Sequence, residues 1–360
     1  MTELLVSVSP HVRHPDSTAK IMWSVVFALL PAAAWGVWVF GYPALVVLAI
    51  STGSAILIEA FLEVVFRKPL TIADGSAAVT GLLLGMILPS NAPWFVALVG
   101  SAIAVAIAKQ AFGGIGYNIW NPALIGRAFV QVAYPAAVSQ AAWPKAQVPS
   151  IIAQLFPVKS AFSLSLSGGL SFDSLTAASP LSIAALKEAF LQSTSMYRLT
   201  DLFLGLVPGS IGEVSKLALL AGGIFLIARN RVNWRAPVFY ILTFAILTFA
   251  LPGDKIPGHG YLHILDAANL TLHTRLTLYH VLSGGLLIGA FFMATDMVTT
   301  PITNRGLMIF GIGCGLMTAV IRLYGGYPEG VCYSILLMNT ATPLIDRFTR
   351  PKVFGERKRK

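Results

Sequence analysis

Charge is what this sequence has least of. Only 11% of its 360 residues are Asp, Glu, Lys or Arg, against roughly a quarter in an ordinary soluble domain, and that deficit excludes a globule built to face water on all sides. Cysteine is nearly absent as well. Cys314 and Cys332 each sit alone in an apolar run, without metal-ligand or disulfide spacing, so packing is the expected role of both. There is no Rossmann glycine fingerprint, no Walker loop and no Cys-x-x-Cys pair, so the chain is not expected to bind NAD or hold an iron-sulfur cluster unaided. The opening segment, MTELLVSVSPHVRHPDSTAK, has neither an apolar core nor a small-residue cleavage site. It is not read as a secretory signal peptide, and the first apolar helix is expected to direct insertion itself.

What is present is hydrophobic: 56% of the residues, in recurring apolar runs. A run near twenty residues crosses the roughly 30 Å of a bilayer core as a helix, and helices are the form in which the backbone can pair its own polar groups in lipid. Ten spans are expected. The first five cover about 21–40, 42–66, 77–88, 94–112 and 118–134, and the second five about 202–228, 236–251, 278–294, 307–324 and 330–345. The third, short and set between Gly75 and Pro89, reads as a broken or partly re-entrant helix. With the N-terminus inside, Arg67, Lys68, Lys109, Arg229, Arg231, Arg235, Arg305, Arg347 and Arg350 fall on the same side as Arg13 and Lys20, the cytoplasmic one by the positive-inside rule. Arg322 fits this least well, near the outer end of its span. The formal charge of +10 therefore reads as topology and as a basic tail facing anionic lipid, not as a nucleic-acid surface.

The two halves resemble each other. TGLLLGMIL (80–88) is similar to GGLLIGAFF (284–292), a glycine pair follows each at 113–114 and 325–326, and NPALIGRAF (121–129) and NTATPLIDRF (339–348) come next in the same order. Five spans before the second half begins means that the repeats are inverted. Inverted repeats place sites near the midplane, often at interrupted helices, although Gly81, Gly85, Gly285 and Gly289 would equally serve close helix packing.

Polar residues within spans are functional candidates. Glu59 and Glu63 lie one turn apart with Arg67 four further on, an expected ion-pair ladder. Lys109 is expected to snorkel from the end of its span. Asp296, in MATDMVTTP, is open to two readings, a site for an ion or second flavin and a helix-end cap. Asn121 and Asn339, matched between the repeats, are candidates with Asp296 for an ion pathway or second flavin, and are expected to pair across the pseudo-dyad.

The longest stretches outside the spans are 135–200 and 252–277, both placed outside the cytoplasm. The first contains DSLTAASPL (173–181). By local chemistry, Asp173 or Ser174 caps a short helix and Ser179-Pro180 turns the chain.

Asp173, Thr176, Ala177, Ala178 and Ser179 also resemble the flavinylation motif in which a transferase joins FMN to a hydroxyl by a phosphoester. The family form is Asp, two variable residues, Ser or Thr, Gly, Ala, then Thr or Ser. This chain has Ala177 at the glycine and Ser179 at the commoner acceptor threonine, and neither change removes the acceptor oxygen; Thr176 is the second hydroxyl. SPHVRHPDSTAKIMW, TIADGSAAVTGLLLGMILP, GGIGYNIWNPALIGRAF, GGLLIGAFFMATDMVTTPIT and EGVCYSILLMNTATPLID extend the resemblance over nearly the whole chain. They are similar to the family that comprises the D subunit of the Rnf ferredoxin:NAD oxidoreductase complex and the B subunit of the sodium-translocating NADH:quinone reductase.

That resemblance implies an all-α polytopic membrane protein of about ten transmembrane helices in two inverted five-helix repeats, akin to urea and ammonium channel proteins. Its segments would be a cytoplasmic 1–20, repeats at 21–134 and 201–346, the extracytoplasmic loop 135–200 and a basic tail 347–360. It implies covalent FMN on Ser179, with room left for a second, noncovalent flavin such as riboflavin, and no metal site or catalytic residue of its own. It further implies a component of a translocase in the bacterial cytoplasmic membrane, inactive alone. The partners would be other Rnf subunits, among them a second flavinylated one and iron-sulfur proteins, together with a flavin transferase and Na+ or H+. The competing readings are a flavin-free solute channel or transporter of related fold, and a structural scaffold.

Overall fold

The computed structural model describes residues 16–139, 142, 144, 180–181, 199–251, 267–325 and 329–350. Asp173, Thr176, Ala178 and Ser179, like the basic tail from 351 onward, lie outside these residues. Among the described residues the chain is helical, and its only β features are isolated bridges, Pro89 with Ser210 and Ala142 with Gly209.

The helices follow the apolar runs. In the first half they are α1 (Thr18–Phe40), α2 (Tyr42–Val65), α3 (Ser76–Ile87), α4 (Trp94–Ala106), α5 (Pro122–Ala133) and the short α6 (Pro135–Ser139). In the second they are α7 (Leu199–Leu204), α8 (Lys216–Ala228), α9 (Arg235–Ala250), α10 (Ala267–Leu282), α11 (Leu286–Ile288) running into a π-helical turn (Gly289–Met293), α12 (Asn304–Tyr324) and α13 (Val331–Thr349). Local chemistry sets the starts. The Ser17 hydroxyl accepts from the Lys20 amide at α1, Ser215 caps α8, and Asn121 followed by Pro122 opens α5, the pattern expected of a cap with proline in the first turn.

Among the described residues, four helices are long and apolar enough to cross a membrane: Thr18–Phe40, Tyr42–Val65, Trp94–Phe112 and Asn304–Tyr324. A bent pair, His273–Leu282 with Leu286–Met293, passes the same measure when taken together, and its two parts meet at 64°. Large apolar side chains such as Phe27, Leu57 and Ile224 point outward from these bundles. In water such exposure would be a liability; on a multi-pass membrane protein it is the lipid-facing surface.

The expected sixth span is not continuous. After α7 the chain turns through Gly205, whose φ of +83° suits glycine, and passes Pro208 and a 3-10 turn at Ile211–Glu213 before α8 begins at Lys216. The eighth span also breaks, at Gly284 with φ +67°. The stretch expected as a loop to 277 is instead helical from Ala267, because α10 extends the bent span backward.

Packing repeats between the halves: α2 lies against α3 and α4, and α9 against α10 and α12, while α4 packs on α5 and α12 on α13. Small residues permit the approach. A Cβ on Gly81 would stand 2.6 Å from the Ser51 carbonyl oxygen, and one on Gly311 would stand 2.6 Å from that of Ala236, so close packing accounts for Gly81 as it does for Gly311. α1 and α8 run antiparallel across the middle: Gly36 meets Ile211 before the start of α8, and Gly222 meets Ala28 further along it. The end where α1 begins and α8 finishes is called proximal below, and the end where α8 begins is called distal.

Candidate functional site

Two pockets lie at opposite ends of the α1/α8 pair. The proximal one holds about 770 Å³, open mouth included. Its apolar walls are Ile21 and Met22 from α1 and Phe291 and Phe292 from the π-helical turn. Its polar groups include Asn118 and Asn121 at the start of α5, Asp296 beyond the π turn, and Lys109. The helices deliver these groups by their ends: α3 begins here, α8 finishes here, and the π turn re-aims the chain so that Phe291 and Asp296 both face the cavity.

Asn121 has two tasks. Its side-chain oxygen accepts from the amides of Ala123 (3.1 Å) and Leu124 (3.4 Å), capping α5, and its amide donates to the Met293 carbonyl oxygen at 3.3 Å. Asp296 caps a turn and also lines the cavity. Its carboxylate accepts from the Val298 amide (3.3 Å) and the Thr299 hydroxyl (3.4 Å). Burial pushes the Asp296 carboxyl above the usual carboxylate range, opposed by the Val298 amide, Thr299 and Asn118. Asn339 joins neither group. It lies in α13, buried, and both of its side-chain polar atoms lack a hydrogen-bond partner. Asn121 and Asn339 therefore do not pair, because Asn121 is committed to the helix start and to Met293.

Two further expectations are corrected beside this cavity. Lys109 does not snorkel. It is 3% exposed, and its ammonium donates to Glu59 at 2.5 Å and to the Ser76 hydroxyl at 2.6 Å. Nor do Glu59, Glu63 and Arg67 form a ladder: Gln110 also donates to Glu59 at 3.1 Å, and Glu63 accepts from the Thr71 amide at 2.9 Å and from its hydroxyl. Non-extended backbone after α4 and α2 turns these side chains inward, toward partners that helical spacing could not reveal. The Asp16–Arg231 ion pair ties the start of α1 to the end of α8 near the mouth, and the hydrogen bond that Arg231 donates to Asp16 holds the guanidinium above its ordinary range.

The distal pocket is smaller, about 340 Å³. Pro180 and Leu181 form one wall, and these are the residues that follow Ser179 in the sequence. The Tyr279 hydroxyl donates to the Pro180 carbonyl oxygen at 2.9 Å, and Leu181 is buried against Gly284. Glu213, Lys216 and Glu329 supply charge to the same pocket. Sequence reasoning did not single out these three, although charged residues inside or beside an apolar run were the available signal. The two cysteines are buried and unpaired, as packing residues would be.

The chain is similar to known proteins over nearly its whole length. The family described as NQR2, RnfD, RnfE matches residues 5–355. The chain is 46% identical over 359 residues to the D subunit of the proton-translocating ferredoxin:NAD(+) oxidoreductase complex of Clostridium ljungdahlii, covering 98% of this chain and 96% of that one. It is 44% identical over 354 residues to the D subunit of the Na(+)-translocating ferredoxin:NAD(+) oxidoreductase complex of Acetobacterium woodii, covering 98% and 95%. With the D subunit of the ion-translocating oxidoreductase complex of Shigella dysenteriae it shares 33% over 365 residues, covering 98% and 99%.

Proposed function

Because the chain belongs to the NQR2, RnfD, RnfE family, we propose that it is the D subunit of an ion-translocating ferredoxin:NAD+ oxidoreductase complex, carrying FMN covalently on Ser179 and passing electrons between partner subunits. The near-complete matches to proteins of that name support membership of the complex. The observation that carries the flavin reading is the seat of Pro180. The residue next to the acceptor hydroxyl is tied by Tyr279 to the distal end of the bundle, so a flavin esterified to Ser179 would be held beside the membrane protein and not left on a free loop.

On this reading the chain has ten spans in two inverted repeats, akin to urea and ammonium channel proteins. The recurrent packing of α2, α4 and α5 and of α9, α12 and α13 supports it. The proximal end is cytoplasmic, because Arg229, Arg231 and Arg235, between α8 and α9, and Arg305, at the start of α12, gather there. Ser179 is extracytoplasmic, where the transferase reaches it.

The proximal cavity fits a second, noncovalent flavin such as riboflavin. Phe291 and Phe292 offer apolar walls, and Asn118, Asn121 and Asp296 offer a few convergent polar groups to fix its orientation. A flavin would supply one- and two-electron chemistry there. The protein's own work is to exclude water from the ring, to aim the Asn121 amide through the α5 cap, and to keep the nearby Lys109 charge paired with Glu59. The transported ion is Na+ or H+; one of the two similar relatives is named for each.

The test is in-gel flavin fluorescence of the denatured protein, isolated from cells with and without the flavin transferase. Wild type and Thr176→Ala should fluoresce only when the transferase is present, and Ser179→Ala should be dark. A dark wild-type band from transferase-positive cells would refute covalent attachment and favour a flavin-free transporter. For the second flavin, denaturation should release free flavin from the Ser179→Ala complex, and Asn121→Leu should abolish that release.

A further inference from the structure

Two adjacent glycines, Gly222 and Gly223, lie buried in the middle of α8. Neither has a positive φ, so neither is there for the backbone freedom that glycine offers, and inside a helix glycine is destabilising relative to alanine. What a Cβ would meet separates their roles. On Gly222 it would collide with the Ala28 carbonyl oxygen, so that glycine serves the close approach of α1 and α8. On Gly223 the three nearest atoms all belong to one side chain: Cδ1, Cγ and Cβ of Phe291, at 2.5, 2.7 and 3.1 Å.

Phe291 is a wall of the proximal cavity, whereas Gly223 is not, and Leu226, one turn further along α8, is. The ring therefore stands between Gly223 and the cavity. Its backbone is pinned on several sides. The π-helical turn closes through the Ala294 amide on the Gly289 carbonyl oxygen at 2.7 Å, the Thr295 hydroxyl donates to the Phe291 carbonyl oxygen at 2.6 Å, and the Asn121 amide donates to that of Met293 at 3.3 Å. Behind the turn, a Cβ on Gly289 would run into Val331 of α13.

We infer that Gly223 is a positioning residue that sets the width of the proximal cavity, holding the Phe291 ring back far enough for a flat three-ring ligand to enter. The inference rests on the reading of that cavity as a site for a noncovalent flavin. Carbon atoms in contact settle at about 3.5–4.0 Å, so a methyl group on residue 223 would displace the near edge of the ring by roughly 1 Å. With the backbone of the turn pinned, the ring yields by rotating about its own side-chain bonds, away from α8 and into the cavity.

A planar ring system needs the same contact distance from each wall it faces, and packed walls do not give by an ångström without cost. Overpacking of this kind weakens a site by about tenfold or more, while a smaller ligand would still enter. The first half of the chain shows the contrast. Its matched segment has Ile87 where the second has Phe291, and Ile87 ends a regular helix, α3, without a π-helical turn. The aromatic wall and the bare helix face behind it therefore belong to the second half and to this cavity.

The experiment uses the purified, assembled complex in the Ser179→Ala background, where flavin released from this subunit on denaturation is noncovalent. Gly223→Ala should release about tenfold less flavin than its parent. Gly223→Ala with Phe291→Leu, whose shorter side chain makes room for the new methyl group, should recover most of it. Undiminished release from Gly223→Ala, or no recovery in the double variant, would overturn the proposal. If Gly223→Ala alone fails to assemble, the double variant should restore assembly and flavin together, and assembly without flavin would count against the proposal equally. A structure of the Gly223→Ala complex by electron cryo-microscopy separates this inference from the flavin reading. A parent complex that releases no flavin refutes the second flavin, and the ring then decides the role of Gly223 by itself: Phe291 turned into the cavity supports it, and an unmoved ring with α8 displaced instead overturns it.

Discussion

Replacing Lys109 with methionine should strand a carboxylate in the bundle, and the size of the effect follows from the surroundings of Glu59. The substitution keeps most of the side-chain volume but removes the ammonium 2.5 Å from Glu59. Only Gln110 then remains to donate to that oxygen, and the other Glu59 oxygen already lacks a partner. Breaking a buried ion pair from one side typically costs about 3–5 kcal/mol. Here the cost has a ceiling, because Glu59 can be neutralised instead. From the ordinary glutamate value, neutralisation costs about 4 kcal/mol at pH 7 and about 1 kcal/mol at pH 5. Thermal unfolding of the full-length chain in detergent should therefore show a large loss for Lys109→Met at pH 7 that shrinks severalfold at pH 5. Adding Glu59→Gln should restore most of the stability at pH 7. An equal loss at both pH values, or a double variant no better than the single, would refute the view that the pair is held in its charged form.

Three further outcomes follow from the packing and the site. Gly126→Val should cost at least about 1–3 kcal/mol, since its Cβ would stand 2.5 Å from the Gly100 carbonyl oxygen, while Gly53→Ala, with open space around it, should melt no lower than wild type. Tyr279→Phe removes one hydrogen bond to Pro180 and should cost about 1 kcal/mol; protease cleavage between 173 and 181 should also quicken, and an unchanged cleavage rate would show that Tyr279 does not hold this segment. Asp296 binds its proton more tightly in the fold than an ordinary carboxyl does, so its contribution falls as pH rises from about 4 toward its elevated value. Asp296→Asn should accordingly gain on wild type in melting temperature between pH 4 and pH 7, and a constant gap between the two would contradict the sign of the shift.

The elements that could be read from the sequence are those whose physics is local. Apolar runs near bilayer length act within a few residues of themselves and stand as helices in the structure, whereas the eighth span, expected continuous over 278–294, breaks at Gly284. The order of matched segments in the two halves was legible for the same reason. Asp296 and Asn121 were recognised as polar groups in apolar context, and they line one cavity.

Tertiary structure alone decided which charges meet. Lys109 reads locally as a residue free to reach water, yet Glu59, 50 positions away, and Ser76, 33 away, claim it. Asn339 carries the same motif signal as Asn121 but does not line the cavity. Glu213 and Glu329 lie more than a hundred residues apart and line one pocket where the start of α8 meets the break at Gly284. Apolar periodicity reports which face of a helix avoids water. Which charge lies opposite which is set by how the helices cross, and no single segment encodes that.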